Sequence, residues 1–141
     1  MSAKSISATI VLVIAMFPVP SGAGAPTAGA VTKHVIIVAT GPSTCEQRDF
    51  TTGVPAPMPT LSEQKHEQIK WEQLNAAHHY TVKFSGANPP FPGAGTFHEN
   101  DTSPAPLHNF GDHSYASVTV TTPTGTVHCN NFHSMGVHVD Q

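Results

Sequence analysis

Proline and glycine interrupt this chain too often for long helices to form. The 141 residues include 13 prolines and 11 glycines, and they cluster in runs such as "VPAPMPT" (54–60) and "NPPFPGAG" (88–95). Such punctuation favours short strands joined by loops over a helical bundle. The chain is therefore predicted to be all-β, and its length suits one modest domain.

Alternating apolar and polar residues mark the strands. The clearest is "YTVKF" (80–84), in which Tyr80, Val82 and Phe84 share one face, so that His79 points to the opposite side. We expect five to seven strands in all. The other strand patterns are "HVIIVA" (34–39), "SYASVTVTT" (114–122), "TVHC" (126–129) and "GVHVD" (136–140).

The segment "TLSEQKHEQIKWEQL" (60–74) supports two interpretations. Thr60 and Glu63 are spaced as a capping box, which would suit a helix. Ile69 and Trp71 alternate instead with polar residues, which favours a polar turn followed by a half-buried strand. We expect the strand, with Trp71 in the core, and the helix stays an alternative.

The first thirty residues have the layout of a secretory signal peptide. Lys4 lies in a short polar head, an apolar stretch runs from residue 10 to 17, and a small-x-small cleavage site ends at Ala30. The apolar stretch is shorter than the roughly 20 residues that span a bilayer, so no retained membrane anchor is expected. The sequence thus predicts a signal peptide over 1–30 and a single secreted or periplasmic domain over 31–141.

The charge and motifs of the mature domain exclude several functions. Without Lys4, five basic side chains face nine acidic ones, a formal charge of −4. The basic residues are scattered, whereas nucleic-acid binding requires a basic stripe. The chain also lacks a nucleophile elbow, a His-Glu-x-x-His helix and a phosphate-binding glycine loop. We expect a monomer that is not an enzyme and binds no nucleic acid.

Two cysteines and ten histidines are the residues best suited to carry chemistry. In an exported protein, a disulfide between Cys45 and Cys129 is the chemical default. The alternative is a free Cys129 that binds a metal ion, because imidazole and thiolate are ligands of late transition metals. The sequence leaves both alternatives open.

The sequence also contains two ordered groups of motifs. "IKW" (69–71), Asn75, "HH" (78–79) and "YTVKF" follow one another, and "GTVHC" (125–129), "NNFHSM" (130–135) and "GVHV" (136–139) end the chain. In both groups the chain resembles the cupredoxins, small copper proteins of the plastocyanin, azurin and amicyanin kind. The resemblance covers about residues 60–141 and implies a cupredoxin-like Greek-key β-sandwich.

The resemblance also implies a single copper ion and electron transfer with a redox partner protein. By this similarity Cys129, His133 and Met135 are the loop ligands and His79 is the remote ligand, with His78 as the weaker candidate. Two imidazoles and a thiolate in one plane, with a weak thioether above, suit both copper oxidation states.

Two further hypotheses come from other classes. One is a metal-free cupredoxin-like binding or structural module that a Cys45–Cys129 disulfide staples together. The other is copper or zinc buffering by the segment 85–112, which lacks periodicity. The histidines concerned are His98, His108 and, directly after the segment, His113, with Glu99, Asp101 and Asp112 nearby, although scattered solvated histidines are the simpler interpretation.

Overall fold

Nine β-strands and one short 3-10 helix form within residues 31–141, the part of the chain that the computed structural model describes. The predicted signal peptide lies outside these residues. The strands are β1 (Thr32–Ala39), β2 (Cys45–Asp49), β3 (Thr60–Ser62), β4 (Gln68–Trp71), β5 (His79–Phe84), β6 (Thr96–His98), β7 (Gly111–Thr122), β8 (Gly125–His128) and β9 (Gly136–Asp140); the helix is Phe132–Ser134.

The small sheet has three strands in the order β2-β1-β4. The β-branched run of β1 makes it the central strand, with Val35, Ile36 and Ile37 buried. β2 pairs with β1 in antiparallel orientation and β4 pairs with it in parallel. Both edges of β1 are therefore paired with neighbouring strands.

The large sheet runs in the order β3-β9-β7-β5-β6. The long strand β7 organises it, because β5 pairs with one edge of β7 while β9 and β8 share the other edge. β9 pairs with residues 111–114 of β7, and β8 pairs with residues 119–122. The final strand β9 also pairs in parallel with β3.

One apolar core joins the two sheets, so the architecture is all-β and sandwich-like. Trp71 of β4 is fully buried and stacks on Phe97 of β6, with 4.5 Å between ring centroids. Tyr80, Val82 and Phe84 of β5 all face this core, as their alternation predicted. The alternation fits because one face of an antiparallel sheet meets the core and the other meets solvent.

A buried hydrogen-bond network crosses between the sheets. The indole N–H of Trp71 donates to the Tyr115 hydroxyl at 3.0 Å, and that hydroxyl donates to Oε1 of Gln47 at 2.5 Å. The amide of Gln47, a fully buried side chain, donates in turn to the carbonyl of Gly136 at 2.9 Å. These groups satisfy one another, which is the condition for burying polar atoms without a large penalty.

The strands predicted from alternation are confirmed, although nine strands form where five to seven were expected, and the segment 60–74 contains strands and turns and no helix. The strand patterns predicted from the sequence missed β2, which lies in the segment 40–59. In β2 the side chains of Cys45 and Gln47 face inward. Because one inward position is a glutamine, β2 lacks the alternation of apolar and polar residues from which a strand is predicted.

The segment 85–112 was also predicted to lack regular structure, and that was wrong at two places. β6 forms over three residues, and β7 already begins at Gly111. Within residues 31–141, no helix has the length and apolar character needed to cross a membrane.

Candidate functional site

A disulfide joins Cys45 to Cys129, with 5.5 Å between their Cα atoms. Cys45 begins β2 of the small sheet, and Cys129 follows β8 of the large sheet. The Cys129 N–H donates to the carbonyl of Val118 in β7 at 3.0 Å, which holds it beside an inward-facing residue. Both cysteines are 3% exposed. The bond therefore links the two layers at the edge of the core.

The loop after Cys129 places its potential ligands on different sides. His133 lies in the 3-10 helix and is exposed to solvent. Met135 is 2% exposed, and its carbonyl accepts a hydrogen bond from the Tyr115 N–H at 2.9 Å. The single residue between them, Ser134, allows this separation because the chain leaves the helix and enters an extended conformation at Met135.

The remote histidine candidates are far from the loop. His79 lies opposite Thr121 in the ladder and faces solvent, whereas Cys129 lies beside Val118 and faces the core. The Cα atoms of His79 and Cys129 are therefore about 14 Å apart, because they are offset by three residues along the strand direction and by two strand spacings across the sheet. His78 is 5% exposed and precedes β5, one residue farther from Cys129.

The structure therefore does not bring the four residues of the cupredoxin-like set together. A disulfide-bonded Cys129 offers no thiolate to a metal ion. Among residues 31–141, no three histidine, cysteine, aspartate or glutamate side chains are placed to hold one ion.

His98 and His113, two histidines of the buffering hypothesis, are also apart. His98 lies in the ladder row of Thr119, six residues along β7 from His113, which is a separation of about 20 Å. His113 was expected in solvent, and that was wrong: it is 9% exposed, with 2.7 Å between its Nε2 and the Asn109 carbonyl oxygen. It is buried because residues 113 and 115 of β7 face the core.

Five histidines share a feature that the sequence did not reveal. Each has its Nδ1 atom directed at a carboxylate, so that Nε2 is the nitrogen left for another partner. In the sequence, the partners of four of these pairs are between 20 and 45 residues apart, and only the tertiary fold brings them together. The contacts are His34–Glu72 (2.6 Å), His79–Glu99 (2.5 Å), His138–Asp112 (2.6 Å), His98–Asp101 (3.5 Å) and His108–Glu63 (3.8 Å).

Glu99 is the most constrained of these carboxylates. One oxygen contacts His79, and the other accepts the backbone N–H of Tyr80 at 2.9 Å. Burial opposes its negative charge, but these hydrogen bonds outweigh burial and hold the pKa of Glu99 below its usual value. Glu99 is therefore an ionised anchor at the beginning of β5.

His78 has a different environment from the exposed histidines. Burial lowers the pKa of His78 below its ordinary value of 6.5, with the nearby Glu99 opposing this shift and His79 adding to it. Its Nδ1 accepts the Leu74 N–H at 3.4 Å, and its buried Nε2 has no hydrogen-bond partner among the described residues. His78 is thus a neutral, buried imidazole.

A cleft of about 210 Å³ lies beside the beginning of β7. This volume is below the roughly 300 Å³ at which small-molecule sites begin, so the cleft does not define a substrate pocket. Its lining residues are Phe84, Ser85, Ala87, Asn88, Pro90, Asp112, His113 and Ser114.

The arrangement defines an all-β protein of two mixed sheets with a disulfide between the layers. No protein-family model, curated protein or solved structure matches the chain.

Proposed function

We propose that this protein is an exported β-sandwich module that is stapled by its disulfide and acts by binding or structural support. The observation that carries the proposal is the bond between Cys45 and Cys129. It uses both cysteines of the chain, so neither sulfur is left for nucleophilic or copper chemistry. Disulfides persist in the compartment that a signal peptide implies.

The surroundings of the disulfide support a rigid scaffold. Asn131 hydrogen-bonds to the backbone of Cys45, and the Asn130 N–H donates to the Ser43 carbonyl at 2.8 Å. The loop after β8 is thus fixed to the loop before β2. Together with the network of Gln47, Tyr115 and Trp71, these bonds hold the two sheets in one relative position.

Copper electron transfer in a cupredoxin-like Greek-key sandwich is a second proposal. It is supported by the two-sheet architecture and by the order of Cys129, His133 and Met135 ahead of the final strand. It requires reduction of the disulfide, rotation of His133 toward the core and movement of a further histidine by several ångströms. The stapled module requires none of these changes.

A thiol count and a copper titration test the first proposal against the second. We expect no free thiol in the denatured, unreduced protein, and no intense thiolate-to-copper band after addition of Cu(II). Two free thiols per chain together with that band would overturn the stapled module in favour of electron transfer.

The variant Cys45→Ser sharpens the comparison, because it frees Cys129 without a reductant. Cys129→Ser is its matched control, since it frees the other sulfur. We expect neither variant to form the copper band. A band in Cys45→Ser alone would show that the loop can assemble the cupredoxin-like site.

Export has its own test. The secreted protein should begin at Val31, the residue after the predicted cleavage site, when its N-terminus is sequenced. Recovery of a cell-associated chain that retains residues 1–30 would contradict export.

A further inference from the structure

Two exposed histidines lie side by side on the outer face of the large sheet. His98 is paired with Thr81 across β5 and β6, and His79 lies two residues before Thr81 on the same face. The side chains of His79 and His98 are 53% and 58% exposed. They are therefore diagonal neighbours on adjacent strands with open access from solvent.

The register of β5 and β6 sets the spacing of this diagonal pair. The Phe84 N–H donates to the Gly95 carbonyl, so the alternate residues His79 and Thr81 occupy non-hydrogen-bonded positions, where side chains of the two strands are closer. Diagonal neighbours then have Cβ atoms about 7 Å apart. Two imidazoles can span this gap, because each Nε2 bonds to zinc or a similar ion at about 2 Å.

A carboxylate also lies beside Nδ1 of each ring. Nδ1 of His79 contacts Glu99 at 2.5 Å, and Nδ1 of His98 lies 3.5 Å from Asp101. Asp101 is itself fixed, since it accepts the His98 backbone N–H at 2.7 Å. A carboxylate on the second ring nitrogen is the usual support of a metal-binding histidine. The Nε2 atoms of both rings are thus the nitrogens available for a metal.

We propose that His79 and His98 form a two-histidine site for a divalent late transition metal ion, with Cu²⁺ bound more tightly than Zn²⁺. Glu99 and Asp101 position the rings and offset the charge of the ion, and water completes the coordination. The preference for Cu²⁺ follows from the general order of affinities at nitrogen ligands. The site goes beyond the stapled module and does not involve Cys129.

The test is a titration of Cu²⁺, and separately Zn²⁺, into the disulfide-intact protein, followed by calorimetry and by Cu(II) electron paramagnetic resonance. We expect one preferred site with two coordinated nitrogens. His79→Gln and His98→Gln should each weaken Cu²⁺ binding about 100-fold, because the second ligand acts intramolecularly. Glu99→Gln should weaken it about tenfold through loss of ring positioning.

His138→Gln and His34→Gln are matched controls. Each removes a histidine with the same Nδ1–carboxylate contact, and neither has another histidine opposite or diagonal to it in the ladder. Both should bind Cu²⁺ like the wild type. Equal weakening in a control, or wild-type binding in His79→Gln or His98→Gln, would overturn the site.

Two further measurements separate metal binding at His79 and His98 from effects of the variants on folding and from the disulfide. Wild-type protein should lose the nuclear magnetic resonance signals of His79, His98 and Thr81 first when Cu²⁺ is added; first loss elsewhere would overturn the proposal. Cys129→Ser should retain the site, so failure of the stapled module and failure of the metal site give different results.

Discussion

The side-chain amide of Asn131 forms two hydrogen bonds with the backbone of Cys45. Its Nδ2 donates to the Cys45 carbonyl at 2.8 Å, and its Oδ1 accepts the Cys45 N–H at 3.0 Å. The side chain thus acts as a short strand beside β2, 86 residues away in the sequence. These two hydrogen bonds form a second link between the two sheets, in addition to the disulfide.

Replacing Asn131 with aspartate should destabilise the protein by about 1–2 kcal/mol, because the carboxylate faces the Cys45 carbonyl without a donor. The free energy of unfolding in urea measures the effect. Asn130→Asp is the matched control, since only the backbone of Asn130 forms a hydrogen bond there. An equal loss in both variants would contradict the role of the amide.

Tyr115→Phe should cost about 3 kcal/mol. The change leaves both the Trp71 N–H and the Gln47 Oε1 atom buried without a partner. Tyr80→Phe serves as the comparison, because it removes a single bond, to the Glu72 carbonyl at 2.6 Å, and should cost about 1 kcal/mol. Urea midpoints that fall equally in the two variants would argue against a cross-sheet network.

Gly136→Ala should destabilise the protein by about 3 kcal/mol, because a Cβ at this position overlaps the carbonyl oxygen of His113. The overlap involves backbone on the neighbouring strand, which cannot move without breaking the pairing of β7 and β9. Gly86→Ala is the control, since a Cβ there meets open space, and should change stability by less than about 0.5 kcal/mol. Thermal unfolding of the two variants compares them directly.

The strands that the sequence predicts are those in which one face is apolar. β5 is the clearest case, and the outward direction of His79 followed from the same alternation. β2 escaped prediction because its inward residues are a cysteine and a glutamine, and the partners of that glutamine lie on three other segments. A buried polar network has no local pattern.

The candidate site was less predictable than the fold. Whether Cys129 pairs with Cys45 depends on how β2 and β8 meet, and that meeting is a tertiary event. The neighbour of His79 could not be named, because β6 is three residues long within a segment rich in proline and glycine. The order of Cys129, His133 and Met135 in the sequence did not specify which side of the sheet each residue faces.

Acid should destabilise the protein through His78. Burial holds the pKa of His78 below its ordinary value of 6.5, so the unfolded chain takes up the proton first as the pH falls. The stability that this neutral imidazole contributes is complete above about pH 6.5 and is lost as the pH falls through its lower, folded-state pKa. Protonation would place a charge beside the apolar side chains of the core.

His78→Phe should therefore flatten the pH dependence of the free energy of unfolding below about pH 6.5, by at most about 1.4 kcal/mol per pH unit. Urea unfolding at a series of pH values gives the two slopes. His133→Gln is the control, because it removes an exposed histidine and should leave the wild-type slope unchanged. If His78→Phe and wild type lose stability in parallel as the pH falls, another group is responsible for the acid sensitivity. A flatter slope in His78→Phe alone assigns that sensitivity to the buried imidazole, since packing losses shift the whole curve without changing its dependence on pH.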